Sequence, residues 1–372
     1  MKPKVSIIKC DSYESTVVQE AVRQAVDLVG GITAFIKPGS RVLVKPNILM
    51  AKEPESGVDT HPEVVRGVIK LLKSINCKAL VGDSPSAWAR QIENVEQVYE
   101  ISGIKKICLE EGVELVRFDK RRMRRKFPLT TWLDECEYLV NVPKFKTHEL
   151  TILTGAIKNL YGLIPGTFKA ELHKNNFDIN DFSGILVDIL EEAMPALTVV
   201  DGIVAMEGDG PGTSGRLRKL GLLFAGADCV ALDTVLANIM GINPLSIPTT
   251  KLARNRNLGI AETSSIEVLG LNLEDLAVKP FLLPQSLKIK KIPAPVVALV
   301  KRFVRLRPYV IDDACTRCNA CVKACPTKVI SMENDRIVFD YSGCISCFCC
   351  QESCPYSAIK VKKSILAKAI GL

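Results

Sequence analysis

The chain of 372 residues is poor in histidine and contains no long apolar run. Only three histidines are present, and no apolar stretch reaches the roughly 18 residues that a membrane-spanning helix needs. The first residues turn polar too soon for the apolar core of a signal peptide. Because 47% hydrophobic and 24% charged residues are typical of globular proteins, wholesale disorder is excluded. We expect a cytoplasmic protein of two or three domains.

The common signatures of nucleotide and hydrolase chemistry are also missing. The sequence contains no Walker-type phosphate loop, no G-x-G-x-x-G fingerprint and no G-x-S-x-G elbow. Its basic runs lack interleaved aromatic residues, and no nucleic-acid-binding motif is present. We therefore expect no nucleic-acid partner.

Nine of the 14 cysteines lie in one short C-terminal segment and form an internal repeat. A long chain without an export signal favours reduced thiols, so we interpret this segment as metal-binding rather than as a disulfide scaffold. In such a repeat the fourth cysteine of each half ligates the cluster of the other half. The two halves are Cys315-x-x-Cys318-x-x-Cys321-x-x-x-Cys325-Pro326 and Cys344-x-x-Cys347-x-x-Cys350-x-x-x-Cys354-Pro355.

This spacing predicts two 4Fe-4S clusters with crossed ligands. Structural zinc is the main alternative, because C-x-x-C pairs also bind zinc tetrahedrally. Zinc does not explain the third cysteine, the proline after the fourth, or the duplication. Cys349 lies outside the pattern and is either a spare thiol or an alternative ligand. The expected ligands are Cys315, Cys318, Cys321 and Cys354 for cluster one and Cys344, Cys347, Cys350 and Cys325 for cluster two.

The remainder of the chain alternates short apolar runs with helical patterns. The runs lack clean alternation, which suits strands that are covered on both faces. A capping-box pattern at Thr60-His61-Pro62-Glu63 precedes one of the apolar helical stripes. Strands that alternate with helices imply a mainly parallel sheet and the α/β class. The apolar runs are residues 5–8, 41–44, 79–82, 138–142, 197–200 and 221–225.

Polar residues follow five of these runs. Because the carboxyl ends of parallel strands share one edge of a sheet, we expect these residues to converge on a ligand-binding crevice. Acidic members of the set would pair with the lysines or hold a divalent ion. The polar residues are Lys45 and Asn47, Asp83, Lys144, Lys146 and His148, Asp201, Glu207 and Asp209, and Asp228.

The segment 144–174 concentrates lysines, glycines and two of the three histidines. Ammonium groups beside Gly-flanked backbone N–H groups suit a phosphate or carboxylate, so we predict an anionic small-molecule ligand. A histidine pKa near neutrality suits acid–base work. The ligand-binding candidates are Lys45, Asn47, Lys146, Asn159, Lys169, Asp201 and Asp209. The catalytic candidates are His148, His173, Lys144 and Lys158.

A basic segment separates the two parts of the chain. Between Leu276 and Ile311 the sequence has eight basic residues, five prolines and no acidic residue. Residues 288–307 either contact an anionic membrane or an acidic redox partner, or form a solvated linker with a partly buried helix. The predicted divisions are an α/β domain at 1–280, a linker at 281–310, a small α+β ferredoxin-like domain at 311–362 and a tail at 363–372.

Two family resemblances cover most of the chain. Residues 311–362 resemble the bacterial two-cluster ferredoxin domain, which implies two 4Fe-4S clusters and electron transfer. Residues 5–276 resemble the domain-of-unknown-function family 362, whose reaction is unassigned. The second resemblance rests on Lys45-Pro46-Asn47, Thr60-His61-Pro62-Glu63, Gly82-Asp83-Ser84-Pro85, Asn141-Val142-Pro143-Lys144 with His148, Gly155-Ala156-Ile157-Lys158-Asn159, and Asp201-Gly202 with Glu207-Gly208-Asp209-Gly210-Pro211.

Two functions are compatible with this organisation. In the first, a redox enzyme of anaerobic metabolism passes low-potential electrons from the clusters to the anionic ligand. In the second, the protein is an electron carrier or assembly component whose large domain docks a partner without catalysis. Both functions require a redox partner protein or a ferredoxin.

Overall fold

The computed structural model describes residues 2–85, 95–166, 168–169, 172, 179–276, 278–284, 306–344 and 348–363. His173, Cys347, residues 288–305 of the basic segment and the tail from residue 364 lie outside the described residues. No helix within the described ranges is long and apolar enough to cross a bilayer.

The N-terminal domain alternates strands and helices, as the sequence predicts. Its strands are β1 (Lys4–Lys9), β2 (Arg41–Pro46), β3 (Lys78–Val81), β4 (Glu114–Leu115), β5 (Arg121–Arg124), β6 (Phe127–Thr130), β7 (Tyr138–Val142), β8 (Lys144–His148), β9 (Ile152–Thr154), β10 (Leu197–Gly208), β11 (Gly215–Gly226) and β12 (Glu267–Gly270). Its helices are α1 (Ser15–Val29), α2 (Pro62–Lys73), α3 (Val95–Ile101), α4 (Ile104–Glu110), α5 (Trp132–Glu135), α6 (Ala156–Asn159), α7 (Ile179–Glu192), α8 (Cys229–Ile239) and α9 (Pro248–Asn255).

The central sheet has ten strands, most of which run parallel to their neighbours. Its main path is β12-β1-β11-β10-β7-β2-β3-β4, and β8 and β9 extend from β10. Strand β11 runs antiparallel to both β1 and β10, and β9 runs antiparallel to β8. The predicted α/β class with a mainly parallel sheet is confirmed. The reversed β11 sends its carboxyl end to the edge opposite that of the parallel strands.

Helices cover both faces of the sheet, which explains the continuous apolarity of the strands. In β2, Val42 and Val44 pack in one hydrophobic cluster with α1 and α2, whereas Leu43 packs in another with α7 and α8. Successive side chains of a strand point to opposite faces, so both faces of β2 must be apolar. The carboxyl edge of the strands is therefore the open side on which polar groups gather.

The start of α2 differs by one residue from the capping box that the sequence predicts. His61 is the N-cap, its Nδ1 accepts a hydrogen bond from the Glu63 N–H at 3.2 Å, and Pro62 follows at the first helical position. Thr60 instead donates its hydroxyl to the Val142 carbonyl at 2.7 Å and accepts the Asn47 N–H at 2.9 Å. Thr60 thus joins the ends of β2 and β7 rather than capping the helix.

The C-terminal domain is small and contains two strand pairs. Its strands are β13 (Leu306–Val310), β14 (Ile330–Glu333), β15 (Arg336–Phe339) and β16 (Ile359–Lys363), and its helices are α10 (Ala320–Ala324) and α11 (Cys349–Glu352). Strands β14 and β15 pair antiparallel and form a β-hairpin between the two cysteine motifs. Strands β13 and β16 pair antiparallel and join the two ends of the domain.

The boundaries of the predicted linker at 281–310 are too wide. Strand β13 pairs with β16 and therefore belongs to the C-terminal domain. On the other side, Phe281 is buried and stacks on Phe145 with ring centroids 5.0 Å apart. The Phe281 N–H also donates to the Met240 carbonyl at 3.0 Å, so the N-terminal domain extends past residue 280. Burial and strand pairing, which composition does not reveal, set both boundaries.

Candidate functional site: a charged crevice beside two cysteine cavities

Strand ends from across the sheet meet at one edge, where Tyr13, Lys45, Asp83, Lys144 and Asp201 form a largely buried polar cluster that we call the crevice. Tyr13 follows β1, Lys45 lies near the end of β2 and Asp83 follows β3. Lys144 begins β8 and is in register with Asp201 on β10. The Lys45 and Lys144 side chains are both 0% exposed. Buried charges of this kind require partners.

Lys144 and Asp201 form a buried ion pair that is supported by further hydrogen bonds. Lys144 Nζ lies 2.8 Å from Asp201 Oδ2 and donates to the Tyr13 hydroxyl at 2.8 Å. The Tyr13 hydroxyl donates to Asp201 Oδ1 at 2.9 Å, and the His61 N–H donates to Asp201 Oδ2 at 2.9 Å. These added hydrogen bonds offset the desolvation of two buried charges. Asp201, predicted as a ligand-binding residue, therefore holds the predicted catalytic lysine in place.

Tyr13 also stacks on the imidazole ring of His61. The two ring centroids are 3.6 Å apart and the planes differ by 9°. Burial lowers the pKa of His61 to about 4, although Asp201 opposes this shift. The pKa of Tyr13 is raised, first by burial and then by the charge of Asp201. Near neutral pH the ring of His61 is therefore neutral, and because its Nδ1 accepts a hydrogen bond, its proton is on Nε2.

Lys45 and Asp83 form a second buried ion pair. Lys45 Nζ lies 2.7 Å from Asp83 Oδ1 and also contacts Asn159 Oδ1 at 3.4 Å. The Ile48 N–H donates to Asp83 Oδ2 at 2.8 Å. Burial lowers the pKa of Lys45, while Asp83 acts in the opposite direction. A side chain at Gly162 would overlap both Lys45 Nζ and Asp83 Oδ1, so this position requires glycine.

Asn159 connects the crevice to the short helix α6. Its Nδ2 donates to Asn141 Oδ1 at 2.8 Å, and Asn141 Nδ2 donates to the Ala156 carbonyl at 3.0 Å. At the other end of this helix, the Asp233 carboxylate accepts the N–H groups of Ala156 and Ile157. Burial raises the pKa of Asp233 to about 7. Asn159 is thus fixed by the fold beside Lys45.

Two buried oxygen atoms in the segment 47–59 have no hydrogen-bond partner among the described residues: Asn47 Oδ1 and Asp59 Oδ2. Asp59 Oδ1 accepts the Leu49 N–H, and Lys146 Nζ donates to the Val58 carbonyl. Burial raises the pKa of Asp59 to about 7, and Lys146 acts against this shift. A ligand with hydrogen-bond donors would satisfy both oxygen atoms, because an unpaired buried acceptor is costly.

The lysines of segment 144–174 do not form a single cluster. Lys158 and Lys169 lie on the ring of Tyr161, with their Nζ atoms 5.8 and 5.9 Å from its centroid. Lys169 Nζ also donates to the backbone carbonyls of Ser84 and Pro85, which directly follow Asp83. Lys158 and Lys169 therefore lie near the Lys45–Asp83 pair. Lys144 and Lys146 lie instead on β8.

His148 is buried and shapes the turn between β8 and β9. Its Nδ1 accepts the Leu150 N–H at 3.1 Å and the Thr151 N–H at 3.3 Å. This nitrogen is therefore not available as a general base. His173, the other histidine predicted as catalytic, lies outside the described residues.

The expectation that Glu207 and Asp228 serve the lysines of the crevice is wrong. Glu207 Oε2 lies 3.0 Å from the Arg218 guanidinium, to which it is bound. Asp228 lies at the opposite edge, because β11 is reversed, and its Oδ1 caps α8 by accepting the Val230 N–H at 2.8 Å and the Ala231 N–H at 2.9 Å. Asp209 lies in the loop 209–214 that follows β10.

Two loops that carry predicted ligand-binding residues contact the C-terminal domain. The loop 47–53, which carries Asn47, places Lys52 Nζ 2.8 Å from the Pro355 carbonyl. In the loop 209–214, which carries Asp209, the Thr213 hydroxyl donates to the Cys354 carbonyl at 2.9 Å. The Ser357 hydroxyl donates to the Thr213 carbonyl at 2.9 Å. The turn at residues 354–357 is thus attached to the loops that follow β2 and β10.

The C-terminal domain contains two cysteine-lined cavities. Cavity one is lined by Cys315, Cys318, Cys321 and Cys354 together with Ile337 of the hairpin. Cavity two is lined by Cys325, Cys344 and Cys350 together with Phe339 of the hairpin. Each cavity thus contains the fourth cysteine of the other motif, and the hairpin covers both.

The cysteines of cavity one fit a cluster better than a single zinc ion. Tetrahedral zinc requires four thiolates at about 2.3 Å from one centre. Within the described part of the chain, no group of three or more His, Cys, Asp or Glu side chains is arranged to hold one metal ion. A 4Fe-4S cubane distributes its four thiolates over four irons, which suits a wider cavity.

Tyr13, His61 and Asp59 are site residues that the sequence analysis did not select. Tyr13 follows the first strand, so the strand-end rule that selected Lys45 would also have selected it. His61 was assigned only to the start of a helix, and Asp59 lies in a loop. Their positions beside Asp201 and Lys146 result from long-range packing.

Comparison with known proteins supports this division of the chain. The family described as Domain of unknown function (DUF362) matches residues 42–238, and a 4Fe-4S dicluster domain matches residues 307–355. The thylakoid-associated protein sll1697 of Synechocystis sp. is 32% identical over 295 residues, which cover 77% of this chain and 89% of that protein. The lactate racemase apoprotein from Thermoanaerobacterium thermosaccharolyticum is 14% identical with a TM-score of 0.37, over 61% of this chain and 54% of that one. A TM-score of 0.37 is too low to establish a shared fold.

Proposed function

Because the chain belongs to the DUF362 family and ends in a 4Fe-4S dicluster domain, we propose that it is a redox enzyme. The C-terminal domain supports iron–sulfur electron transfer. In the proposed reaction, low-potential electrons pass from two clusters to an anionic small molecule that is bound in the crevice of the N-terminal domain.

One observation carries this proposal: the loops that carry the ligand-binding candidates Asn47 and Asp209 also hold the turn of Cys354. The Thr213 hydroxyl donates to the Cys354 carbonyl, and the loop 209–214 is anchored next to the end of β8, where the Glu149 N–H donates to the Gly210 carbonyl at 3.1 Å. Lys52 makes the second attachment from the loop that contains Asn47. A domain that only docked a partner would not need its polar crevice attached to a cysteine of a cluster.

We propose that each cavity holds one 4Fe-4S cluster through crossed ligands. The cluster supplies one-electron chemistry when it is bound, and the chain supplies thiolates and hydrogen bonds to sulfur. The Val329 N–H donates to Cys325 Sγ at 3.4 Å, and the Ala358 N–H donates to Cys354 Sγ at 3.2 Å. Such hydrogen bonds stabilise the negative charge on thiolate ligands and help to set the potential. Cys315, Cys318, Cys321 and Cys354 would hold one cluster, and Cys344, Cys347, Cys350 and Cys325 the other.

The ligand would lie among lysines whose charges the fold holds in place. Asp83 and Asp201 neutralise Lys45 and Lys144, so these two lysines position the crevice and donate hydrogen bonds. We propose that Lys146, Lys158 and Lys169 offer hydrogen-bond donors to an anionic ligand in addition to the contacts that they make within the chain. Asn47 Oδ1 would accept a hydrogen bond from a hydroxyl or amide group of the same ligand. A carboxylate or phosphate that also carries a donor group fits this arrangement.

Anaerobic reoxidation of the clusters tests the proposal. Protein reduced with dithionite and freed of excess reductant is mixed with pools of anionic metabolites, and cluster absorbance is followed. We expect a carboxylate or phosphate compound to accelerate reoxidation, and Lys146→Met to abolish this acceleration with iron content unchanged. Lys251→Met, an exposed substitution on α9, serves as the matched control. If no anionic compound changes the rate, and electron transfer to a ferredoxin survives Lys146→Met, the protein is instead an electron carrier or assembly component.

We also propose a peripheral membrane contact through residues 288–307. This segment lies almost entirely outside the described residues, and its basic, proline-containing sequence supports the proposal. The relative from Synechocystis sp. is named as thylakoid-associated, which points in the same direction. Flotation with anionic vesicles at low salt should carry the protein upward, and high salt should release it. Equal flotation with neutral vesicles would contradict this contact.

A further inference from the structure

The two halves of the cysteine domain have the same local structure around their fourth cysteine. Cys325 Sγ accepts the N–H of Val329, and Cys354 Sγ accepts the N–H of Ala358, four residues on in both cases. The carbonyl of each cysteine also accepts the N–H three residues on, at 3.2 and 3.4 Å. Any functional difference between the cavities must therefore come from their surroundings.

The surroundings of the two cysteines differ in their contacts with the N-terminal domain. The Cys354 carbonyl accepts an additional hydrogen bond from Thr213, and the next carbonyl, of Pro355, accepts one from the Lys52 ammonium. No hydrogen bond of this kind reaches Cys325 or Pro326 within the described ranges. The N-terminal domain thus places an ammonium group and a hydroxyl donor beside the turn of cavity one, whereas the turn of cavity two carries Lys328 and Thr327 of its own half, with the Thr327 hydroxyl 3.6 Å from Cys325 Sγ.

We infer that cavity one is the electron exit toward the crevice and cavity two the electron entry from an external donor, with Lys52 and Thr213 as the residues that set this order. This inference deepens the proposed function and rests on it. Lys52 is a positioning residue: it touches the backbone of a ligand turn and acts on the cluster through its charge.

The physical basis is the charge dependence of the cluster potential. Reduction adds one negative charge to a cluster, so a nearby ammonium group and hydrogen-bond donors stabilise the reduced form and raise its potential. Lys52 is half-buried, so solvent screens its charge incompletely. Lys328, at the equivalent turn of the other half, is exposed, and solvent screens its charge more strongly. The cluster in cavity one should therefore have the higher potential.

The electron balance of each step is simple. A one-electron donor protein of the ferredoxin class, or dithionite in the laboratory, reduces the cluster in cavity two by one electron. That electron then passes to the oxidised cluster in cavity one, and the cluster in cavity two returns to its oxidised state. No bond is formed or broken, and no proton moves in this transfer.

A redox titration of the full chain, monitored by electron paramagnetic resonance under anaerobic conditions, tests the inference. In the unchanged protein, the first electron should appear in one cluster, whose spectrum is then recorded. Lys52→Met should lower the potential of that same cluster, and Lys52→Arg should restore it. We expect roughly a tenfold change in the electron-exchange equilibrium between the clusters, or about 59 mV for one electron. Thr213→Val should lower the same potential by less.

Lys328→Met is the matched control, because it removes a lysine from the equivalent turn of the other half. It should leave the first-reduced cluster unchanged. The inference is overturned if Lys52→Met shifts both clusters equally, shifts neither, or shifts only the cluster that is reduced second. Cluster content, measured by iron analysis, shows that each variant is loaded, and Thr213→Val supplies the test if Lys52→Met does not fold.

The outcome is separable from that of the proposed function. The titration requires no ligand in the crevice. If Lys52→Met shifts the potential of one cluster selectively but no ligand accelerates reoxidation, the effect of Lys52 on cavity one is retained and the proposed enzyme activity is rejected. Ligand-dependent reoxidation without a selective Lys52 effect would retain the enzyme and reject the order of the cavities.

Discussion

The two functional regions of the protein are built in different ways. The cysteines around cavity one lie within 40 residues of one another, and their spacing is the main determinant of the site. The crevice instead collects Tyr13, Lys45, Asp83, Lys144 and Asp201 from five parts of the sheet. The cysteine domain is specified mainly by local spacing, whereas the crevice depends on buried ion pairs that only a complete sheet can position. Substitutions in the cysteine domain should therefore change the iron content, whereas substitutions in the crevice should change the stability of the N-terminal domain.

The largest expected effect is the loss of one cluster from the cysteine domain. Cys354→Ser should reduce the iron content from about eight to about four atoms per chain, because it removes a ligand from only one of two cubanes. Iron analysis and electron paramagnetic resonance measure the result. Cys349→Ser, a buried cysteine outside the motif, is the control and should retain all iron. A halved iron content in the control would identify Cys349 as a ligand.

The next largest effect is expected in the crevice. Lys144→Met leaves the Asp201 carboxylate buried without its partner, which should lower the free energy of unfolding by about 3–5 kcal/mol. Urea denaturation of the N-terminal domain, followed by tryptophan fluorescence, measures the loss. The double variant Lys144→Met with Asp201→Asn should recover much of it, because no unpaired charge remains. Equal losses in the single and double variants would show that the charge pair is not the cause.

The pH dependence of stability should also originate in the N-terminal domain. Burial raises the pKa of Asp233 to about 7, above its unfolded value near 3.9. The protonated form is therefore favoured by folding, and its contribution is complete below about pH 4 and lost as the pH rises through 7. Asp233→Asn should remove the contribution of this carboxyl, on the order of 2–4 kcal/mol, and leave that of Asp59 in denaturation curves at pH 4 and 8. The substitution Asp275→Asn, at an exposed residue, should leave the pH dependence of stability unchanged. A stability of the unchanged protein that does not vary between pH 4 and 8 would contradict the assignment to Asp233.

The smallest effect concerns the space beside Lys45. Gly162→Ala would place a methyl group against Asp83 Oδ1 and Lys45 Nζ, which should destabilise the N-terminal domain by about 1–3 kcal/mol. Gly184→Ala, in α7, is the matched control, since its methyl group would meet only Leu252 at 4.0 Å. An alanine inside a helix should stabilise by about 0.5–1 kcal/mol. Thermal unfolding compares the two, and a stable Gly162→Ala variant would show that the ion pair can move.

The cysteine domain was more predictable from the sequence than the crevice, for physical reasons. The hairpin over the cavities follows from local spacing, and the parallel strands follow from apolar runs. The pairing of Lys144 with Asp201 was not predictable, because it depends on which strands become neighbours. Asp228 was misplaced because nothing in a five-residue apolar run reveals that β11 is reversed. Tyr13 was reachable by the strand-end rule, whereas the stacking of His61 on it required the folded chain.

The attachment of Cys354 to the loops 47–53 and 209–214 would give the proposed enzyme a means of control. These loops carry the ligand-binding candidates Asn47 and Asp209 and contact the turn of Cys354. In the proposed enzyme, a ligand that shifts the loops would change how readily a cluster in cavity one accepts an electron. By thermodynamic reciprocity, the charge state of that cluster would then change ligand affinity by the same factor. Such a reductant would release electrons when its target is bound and retain them when the site is empty.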